Sequence, residues 1–169
     1  MKKVSSILLM IVVTSSIAQA ANQISITGSA PKGASILMKV GYQSSKTSLF
    51  CTELSLEDWK RNPKIYDIDY PMSGSSQRFT LTAPLQIETC DANLISLPSL
   101  EITLAGTNSL SSLGYLGEAL SVQGSNSDIN STQKVVCKKF QASNGLTTLC
   151  EGVVYMGPSG TINLAIEEK

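Results

Sequence analysis

Apolar and polar residues alternate along most of this chain. The closing stretch, TINLAIE, shows the pattern clearly, since Ile162, Leu164 and Ile166 are separated by small or polar neighbours. A period of two places such side chains on one buried face of a β-strand. Similar runs recur at intervals of roughly ten residues, with Gly, Ser, Pro and Asn between them. The predicted strands are residues 23–30, 35–41, 47–51, 64–70, 77–83, 85–90, 100–106, 134–140, 146–156 and 161–167.

Short strands in such a series predict an all-β fold, either a sandwich or a barrel. One short helix is predicted in SLEDWKRNP, where Ser55 can cap the first turn, Asp58 follows three residues later and Pro63 ends the helix. The segment 107–132 is rich in Ser, Gly and Asn, and we expect loops there around one or two strands.

The first 20 residues have the features of a secretory signal peptide. Two lysines precede an apolar run over residues 7–13, and Ala18 and Ala20 form an Ala-x-Ala cleavage signal. The apolar run is too short to span a bilayer. We therefore expect cleavage after Ala20 and a single exported domain, residues 21–169, in the periplasm, outside the cell or on its surface, without membrane insertion.

Charge and composition argue against several classes of function. The predicted leader holds two of the 13 basic residues and none of the 13 acidic ones, so the mature chain is slightly acidic and has no basic field for nucleic acid. The chain has no histidine, which removes the commonest general base and every Ser-His-Asp or Cys-His arrangement. We expect a protein that is not an enzyme and needs no cofactor.

Four cysteines in an exported chain predict two disulfides, for which three connectivities are possible. We favour Cys137 with Cys150, because the residues between them have the pattern of a hairpin. A four-residue loop over 142–145 places the two cysteines directly opposite each other, whereas a two-residue Asn-Gly turn would place them on a diagonal. Cys51 and Cys90 then pair by elimination.

A metal site is the rival use of the cysteines. The sequence has no C-x-x-C pair and no histidine, so we expect no zinc site.

Two further features have a structural and a functional interpretation. Asp67 and Asp69, in YDIDY, share one face of a predicted strand and are expected to be a solvated face rather than a catalytic or calcium-binding pair. Trp59 is a candidate stacking platform for a glycan or a peptide, but a lone Trp in a β-domain is more commonly a packing residue, and that is our expectation.

Several segments together resemble subunits of chaperone-usher pili. The start of the mature chain, AANQISITGSA, is similar to the short alternating N-terminal segment of such subunits, which ends in a glycine, here Gly28. Cys51 and Cys90 are 39 residues apart, close to the disulfide spacing of the family. LQIETCDAN and the closing SGTINLAIEE are similar to the segments around the family's second cysteine and its C-terminal strand.

The resemblance implies a single immunoglobulin-like, pilin-like β-sandwich that lacks its last strand and serves as a non-enzymatic structural or adhesive subunit of a fimbrium. A periplasmic chaperone, and later the N-terminal segment of the next subunit, would supply the missing strand. The residues in these roles would be Ile24, Ile26 and Gly28 in the donor strand, and Ile162, Leu164 and Ile166 in the accepting groove. Substitution of Ile26 by Asp should then block assembly.

The alternative is a monomeric periplasmic or secreted binding protein, such as a hydrolase inhibitor, with a complete sandwich and a binding loop. A disulfide-tied hairpin, such as the one that ends at Gly145, presents a loop rigidly. The two hypotheses differ in one structural respect. Pairing of residues 22–28 as an ordinary strand inside their own domain favours the monomer, whereas a projecting segment beside an open groove favours assembly.

Overall fold

The computed structural model of the protein describes residues 22–74, 77–108 and 120–169. Within these ranges the chain forms β-strands, two single 3-10 turns, Leu49–Cys51 and Thr89–Asp91, and no α-helix. The strands are β1 (Gln23–Ser29), β2 (Ser35–Gln43), β3 (Thr52–Leu54), β4 (Arg61–Pro63), β5 (Ile65–Pro71), β6 (Arg78–Pro84), β7 (Gln86–Ile87), β8 (Ala92–Leu94), β9 (Ser99–Thr103), β10 (Leu120–Gly124), β11 (Gln133–Ala142), β12 (Gly145–Glu151), β13 (Val154–Met156) and β14 (Thr161–Glu168).

The first sheet has five strands in the order β12-β11-β14-β1-β6. β14 lies between β11 and β1 and runs parallel to both, whereas the outer pairs β11–β12 and β1–β6 are antiparallel. Parallel neighbours cannot be joined by a tight turn, and the chain crosses to the second sheet between them. As a result the first and the last described strands lie side by side inside one sheet.

The second sheet has the order β13-β10-β9-β2-β8-β7, with β5 paired to β2 outside this path. β9 and β8 share one side of β2, and β5 occupies the other side. β5 is therefore an edge strand. β3 and β4 form a separate two-stranded hairpin that continues from β2 and β5.

The two sheets enclose one hydrophobic cluster. Alternate side chains of the longer strands point into this cluster, as the period-two pattern predicts. The inward positions include Ile36, Met38, Val40 and Tyr42 in β2 and Ile162, Leu164 and Ile166 in β14.

Tyr42 brings a hydroxyl group into the core. Its Oη donates to the carbonyl oxygen of Pro84 at 2.8 Å and lies 3.0 Å from the Oη of Tyr70. Burial, and then the hydrogen bond with Tyr70, raise the pKa of Tyr42 well above its usual range. The core therefore holds this phenol in its neutral form.

The all-β sandwich expected from the sequence is confirmed, and most strands lie close to the predicted bounds. Three predictions were wrong in detail. Residues 47–51 end in a 3-10 turn, the run over 85–90 keeps only the two residues of β7, and the run over 146–156 is broken between β12 and β13. The chain passes from the first sheet to the second at Gly152, whose φ is +146°, a value that few other residues adopt.

The short helix predicted over residues 55–63 was wrong. β3 and β4 pair across this segment instead, with Leu54 opposite Arg61 and Thr52 opposite Pro63. A helix of two turns has little stability unless it buries an apolar face. The hairpin pairs residues 61–63 with β3 and joins Ser55 to Lys60 by a backbone hydrogen bond, so pairing prevails over the capping pattern.

Both predicted disulfides are confirmed, Cys51 with Cys90 and Cys137 with Cys150. The predicted register of the second hairpin is also correct, since Cys137 lies opposite Cys150 and Gln141 opposite Leu146. The loop is shorter than predicted, because Ala142 and Gly145 still pair and only two residues turn. Two disulfides indicate an exported, non-cytoplasmic protein. The predicted leader, residues 1–20, lies outside the described residues.

Nothing in the described ranges has the helical length and apolarity needed to cross a bilayer. Loops around one or two strands were predicted over residues 107–132. The described part of this segment contains one strand, β10, and residues 109–119 lie outside the described residues.

Candidate interaction surfaces

β1 and β14 hold all six residues predicted for strand donation. Ile26 lies opposite Ile162, and Gly28 lies opposite Leu164. Ile24, Ile26, Ile162 and Leu164 are fully buried, and Ile166 is nearly so. The predicted donor and groove residues therefore meet inside one chain, where β1 pairs with β14 on one side and β6 on the other.

The packing around Gly28 is unusually close. A Cβ atom at this position would overlap the carbonyl oxygen of Leu164 and lie 3.1 Å from the ring of Phe79. Only glycine allows the three strands to approach this closely. The glycine identified by its resemblance to a pilin segment thus has a local packing role.

β1 joins β2 through the five residues 30–34. The N–H of Ala34 donates to the carbonyl of Pro31 at 3.1 Å, and Gly33 has a φ of +78°. β1 is thus an ordinary strand of its own domain, the arrangement that favours the monomeric alternative.

The most prominent apolar surface lies elsewhere, in residues 49–65, which we call the apolar hairpin. It comprises a 3-10 turn, β3, β4 and the first residue of β5. Its exposed large apolar side chains are Leu49 (64% exposed), Phe50 (86%), Leu54 (46%), Leu56 (77%), Trp59 (74%) and Ile65 (50%). The expectation that Trp59 is a packing residue was wrong.

Several contacts hold the apolar hairpin in shape. The N–H of Ser55 donates to the carbonyl of Lys60 at 2.8 Å and closes the tip. Arg61 reaches across the base, where Nη1 donates to Oγ1 of Thr52 at 2.9 Å and to the carbonyl of Leu49 at 3.3 Å. Exposed side chains on a braced frame lose less conformational entropy when they bind a partner.

Asp58 organises the turn at the tip. Its Oδ1 accepts a hydrogen bond from the N–H of Lys60 at 3.3 Å. Hydrogen bonds from the Ser55 side chain and then from the Lys60 backbone lower the pKa of Asp58 below its usual range. The Ser55 and Asp58 pair that suggested a helix cap therefore stabilises a hairpin turn.

The disulfide between Cys51 and Cys90 anchors the apolar hairpin to the second sheet. Left-handed backbone conformations occur beside this disulfide and also at the hairpin tip. In the described ranges, the non-glycine residues with positive φ are Trp59 (+56°), Cys90 (+56°) and Asp91 (+46°). Such conformations are costly for residues with a side chain, and they gather at binding and catalytic sites.

The apolar hairpin has no net charge. Glu53, Glu57 and Asp58 balance three basic residues, Lys60, Arg61 and Lys64. The segment therefore offers no net charge to attract a strongly charged molecule, and its large exposed side chains are apolar.

The remaining predicted features lie apart from the apolar hairpin tip. Asp67 and Asp69 are exposed on β5, on the solvated face that the sequence predicted. The hairpin that ends at Gly145 exposes Phe140 and Leu146, but to a smaller extent than the apolar hairpin exposes its four most accessible side chains. The described residues contain no group of His, Cys, Asp and Glu side chains that could hold a metal ion.

The apolar hairpin as a whole escaped sequence reasoning. Ser55, Asp58 and Pro63 carry a capping and termination pattern that predicted a helix, and this local pattern gives no sign that Leu54, Leu56 and Trp59 are exposed. Leu49 and Phe50 offered one sign of an exposed apolar surface, because they stand next to Cys51 and far from any clear period-two alternation.

No protein-family model matches the chain, and neither the curated proteins nor the solved structures include a significant match. The surfaces described above must therefore support any functional conclusion by themselves.

Proposed function

We propose that this protein is an exported, non-enzymatic binding protein, with a complete β-sandwich, that inserts its apolar hairpin into an apolar cleft of a protein partner. One observation carries the proposal. The four most exposed large apolar side chains of the described residues lie within the short stretch from Leu49 to Trp59. Contiguous exposed apolar surface on a soluble domain marks an interaction site.

The residue types and the frame support this proposal. Trp is the residue most enriched among those that dominate binding energy at interfaces. The disulfide and the Arg61 contacts brace the backbone of the hairpin that carries Trp59. Rigid loops on a β-sandwich are a common way to present a binding site.

Photocrosslinking in cells that export the protein tests the proposal. A photoreactive residue in place of Leu56 should give a discrete protein adduct, whereas the same residue in place of Phe140 should not. Phe140 is the matched control because it is an apolar residue on the other disulfide-tied hairpin and is 51% exposed.

A second substitution makes this test specific. Phe50→Ser should remove the adduct formed at position 56 without changing the circular dichroism spectrum, because Phe50 is 86% exposed and supports no core contact. Identical adduct patterns at positions 56 and 140, or an adduct that survives Phe50→Ser, would refute the proposal.

Strand donation, as in the pilus subunits that the sequence resembles, is the second candidate. The observation that favours it is the position of β1 directly beside β14, with both strands at the ends of the described chain. β1 is joined to the following strand only through residues 30–34. β1 of another copy could therefore occupy the same position beside β14.

Size-exclusion chromatography with light scattering distinguishes the two candidates. A complete sandwich predicts the mass of one chain for residues 21–169, and loss of solubility when residues 21–30 are removed. Strand donation predicts polymers of the longer form and rescue of the truncated form by a synthetic peptide of residues 21–30 added in trans.

A further inference from the structure

The second sheet has a long edge without a strand partner in the described residues. β4 and β5 form almost continuous extended chain over residues 61–71. At the junction, the N–H of Lys64 donates to the carbonyl of Cys51, and its carbonyl accepts from the N–H of Ser44, both at 3.0 Å. Both groups of one residue in an antiparallel ladder point to the same side, so β2 and β3 lie on one side of this stretch and leave the other side open.

The hydrogen-bonding groups of β5 alternate between these two sides. Met72 donates to the carbonyl of Ile36 at 3.0 Å, so the even-numbered residues bond to β2 at both ends of the ladder. The odd-numbered residues Ile65, Asp67 and Asp69 therefore direct their N–H and C=O groups outward. Among the described residues no strand pairs with these groups.

The two faces of this edge differ in chemistry. Asp67 and Asp69 are exposed on the outer face, while Tyr66, Ile68 and Tyr70 are half-buried against the core. Neither carboxylate has an ion-pair partner within the described ranges. The lysine opposite Asp69 is Lys39, whose Nζ forms its ion pair with Glu101 at 2.7 Å. The hydrogen bond to Glu101 is the largest cause that raises the pKa of Lys39, and attraction to Asp69 is the smallest.

From this arrangement we propose that the open side of β5 binds an extended segment of a protein partner in which basic and apolar residues alternate. Cross-strand neighbours lie on the same face of a sheet, so partner residues opposite Asp67 and Asp69 would place their side chains beside two unpaired carboxylates. Partner residues opposite Ile68 and its neighbours would face the half-buried apolar side. Backbone pairing gives the affinity and the alternation gives the specificity.

The prolines at the two ends limit the length of the site. Pro63 and Pro71 have no N–H to donate, so each interrupts the row of outward donors, and between them the outward donors are those of Ile65, Asp67 and Asp69. The site therefore accepts a segment of about seven residues. This surface is separate from the tip of the apolar hairpin, and the inference goes beyond the function proposed above.

Synthetic peptides test the inference on the exported protein. The probe is a capped, dye-labelled heptapeptide of alternating Val and Lys, and its counterpart has Glu in place of each Lys. Fluorescence anisotropy should show the lysine peptide binding at least about tenfold more tightly than the glutamate peptide, since like charges across a strand pair oppose pairing. A lysine peptide with N-methyl groups on the pairing amides should not bind, because it keeps the charge and loses the backbone donors.

Charge reversal in the protein tests the role of the two carboxylates, and charge reversal elsewhere is the matched control. Asp67→Lys with Asp69→Lys should reverse the preference, so that the glutamate peptide binds more tightly. Glu53→Lys with Glu57→Lys changes two exposed carboxylates of the apolar hairpin and should leave the preference unchanged.

Three results would overturn the inference. These are no binding of the lysine peptide, equal binding of both peptides, or retained binding of the N-methylated peptide. The first would show that the prolines and carboxylates only protect the edge from pairing. None of them affects the crosslinking expected at position 56, so failure of this inference is distinguishable from failure of the proposed function.

Discussion

At the scale of single residues, the clearest constraint lies at Gly28. This position has an ordinary extended backbone, so its requirement for glycine comes from the approach of β14 and not from a left-handed conformation. A glycine without such a close neighbour is not constrained in this way. Gly124, in β10, has only the Leu97 side chain near its missing Cβ, at an ordinary distance of 3.6 Å.

Gly28→Ala is therefore expected to destabilise the protein by about 2 to 3 kcal/mol, the cost of forcing an extra methyl group into a packed site. Gly124→Ala is the matched control and should change the free energy of unfolding by less than about 0.5 kcal/mol. Urea denaturation followed by circular dichroism measures both variants. Equal stability of the two variants would contradict the role assigned to Gly28.

Trp59 shows how a residue-level expectation can fail. Its hydrophobicity predicts burial, and the capping and termination pattern around it predicts a helix. The structure instead places it in a left-handed turn at the tip of a hairpin, 74% exposed. Whether a large side chain is buried depends on what surrounds it, and the local sequence does not contain that information.

At the scale of elements, the two disulfides constrain different parts of the molecule. Cys137 and Cys150 join strands that already pair along a long ladder. Cys51 and Cys90 join the apolar hairpin to the second sheet across 39 residues of chain. The first disulfide reinforces an existing hairpin, whereas the second determines where the apolar hairpin lies.

Removal of each disulfide should therefore have a different local effect. Replacement of both cysteines by Ala should cost roughly 3 kcal/mol for the Cys137 pair and roughly 4 kcal/mol for the Cys51 pair, from the entropy of the loops that they close. Only loss of the Cys51 pair should increase the mobility of Trp59, the single Trp of the chain. Steady-state fluorescence anisotropy of Trp59 under native conditions measures this, and an equal change in both variants would refute the anchoring role.

The predicted helix and the observed hairpin illustrate the same limit for elements. Ser55, Asp58 and Pro63 form a valid capping and termination pattern, and the structure uses Ser55 and Asp58 to stabilise a turn. The predicted helix is replaced by a hairpin because Thr52–Leu54 pairs with Arg61–Pro63. A local capping pattern does not contain that pairing. The hairpin from Gln133 to Glu151 was predicted in the correct register because its turn and its two cysteines are close in sequence.

At the scale of the whole molecule, the position of β1 decides between a complete domain and one that needs a donated strand. Ile26 is fully buried between β14 and β6 in its own chain. A carboxylate in that place has no partner to compensate its burial.

Ile26→Asp is accordingly expected to unfold the isolated domain, with a cost of at least about 3 kcal/mol from lost apolar burial and the buried charge. Ser29→Asp, at an exposed position of the same strand, should have little effect. Thermal unfolding of the two purified variants measures the difference. A soluble, folded Ile26→Asp variant that fails only to assemble would instead support strand donation.

The sequence alone determined the class of fold and the covalent framework of this protein. Alternation with a period of two is a local property that follows from strand geometry, so β1, β2, β6, β11 and β14 were predictable. The pairing of the cysteines followed from one turn and from elimination.

Tertiary structure decided which strands are neighbours, which apolar side chains remain exposed and which edge remains open. β14 acquires parallel partners from distant parts of the chain, and the residues from Leu49 to Ile65 project as an apolar hairpin. The physical reason is that pairing and burial are properties of contacts between segments far apart in sequence. A local pattern states which face of a strand is apolar, but it does not state what covers that face.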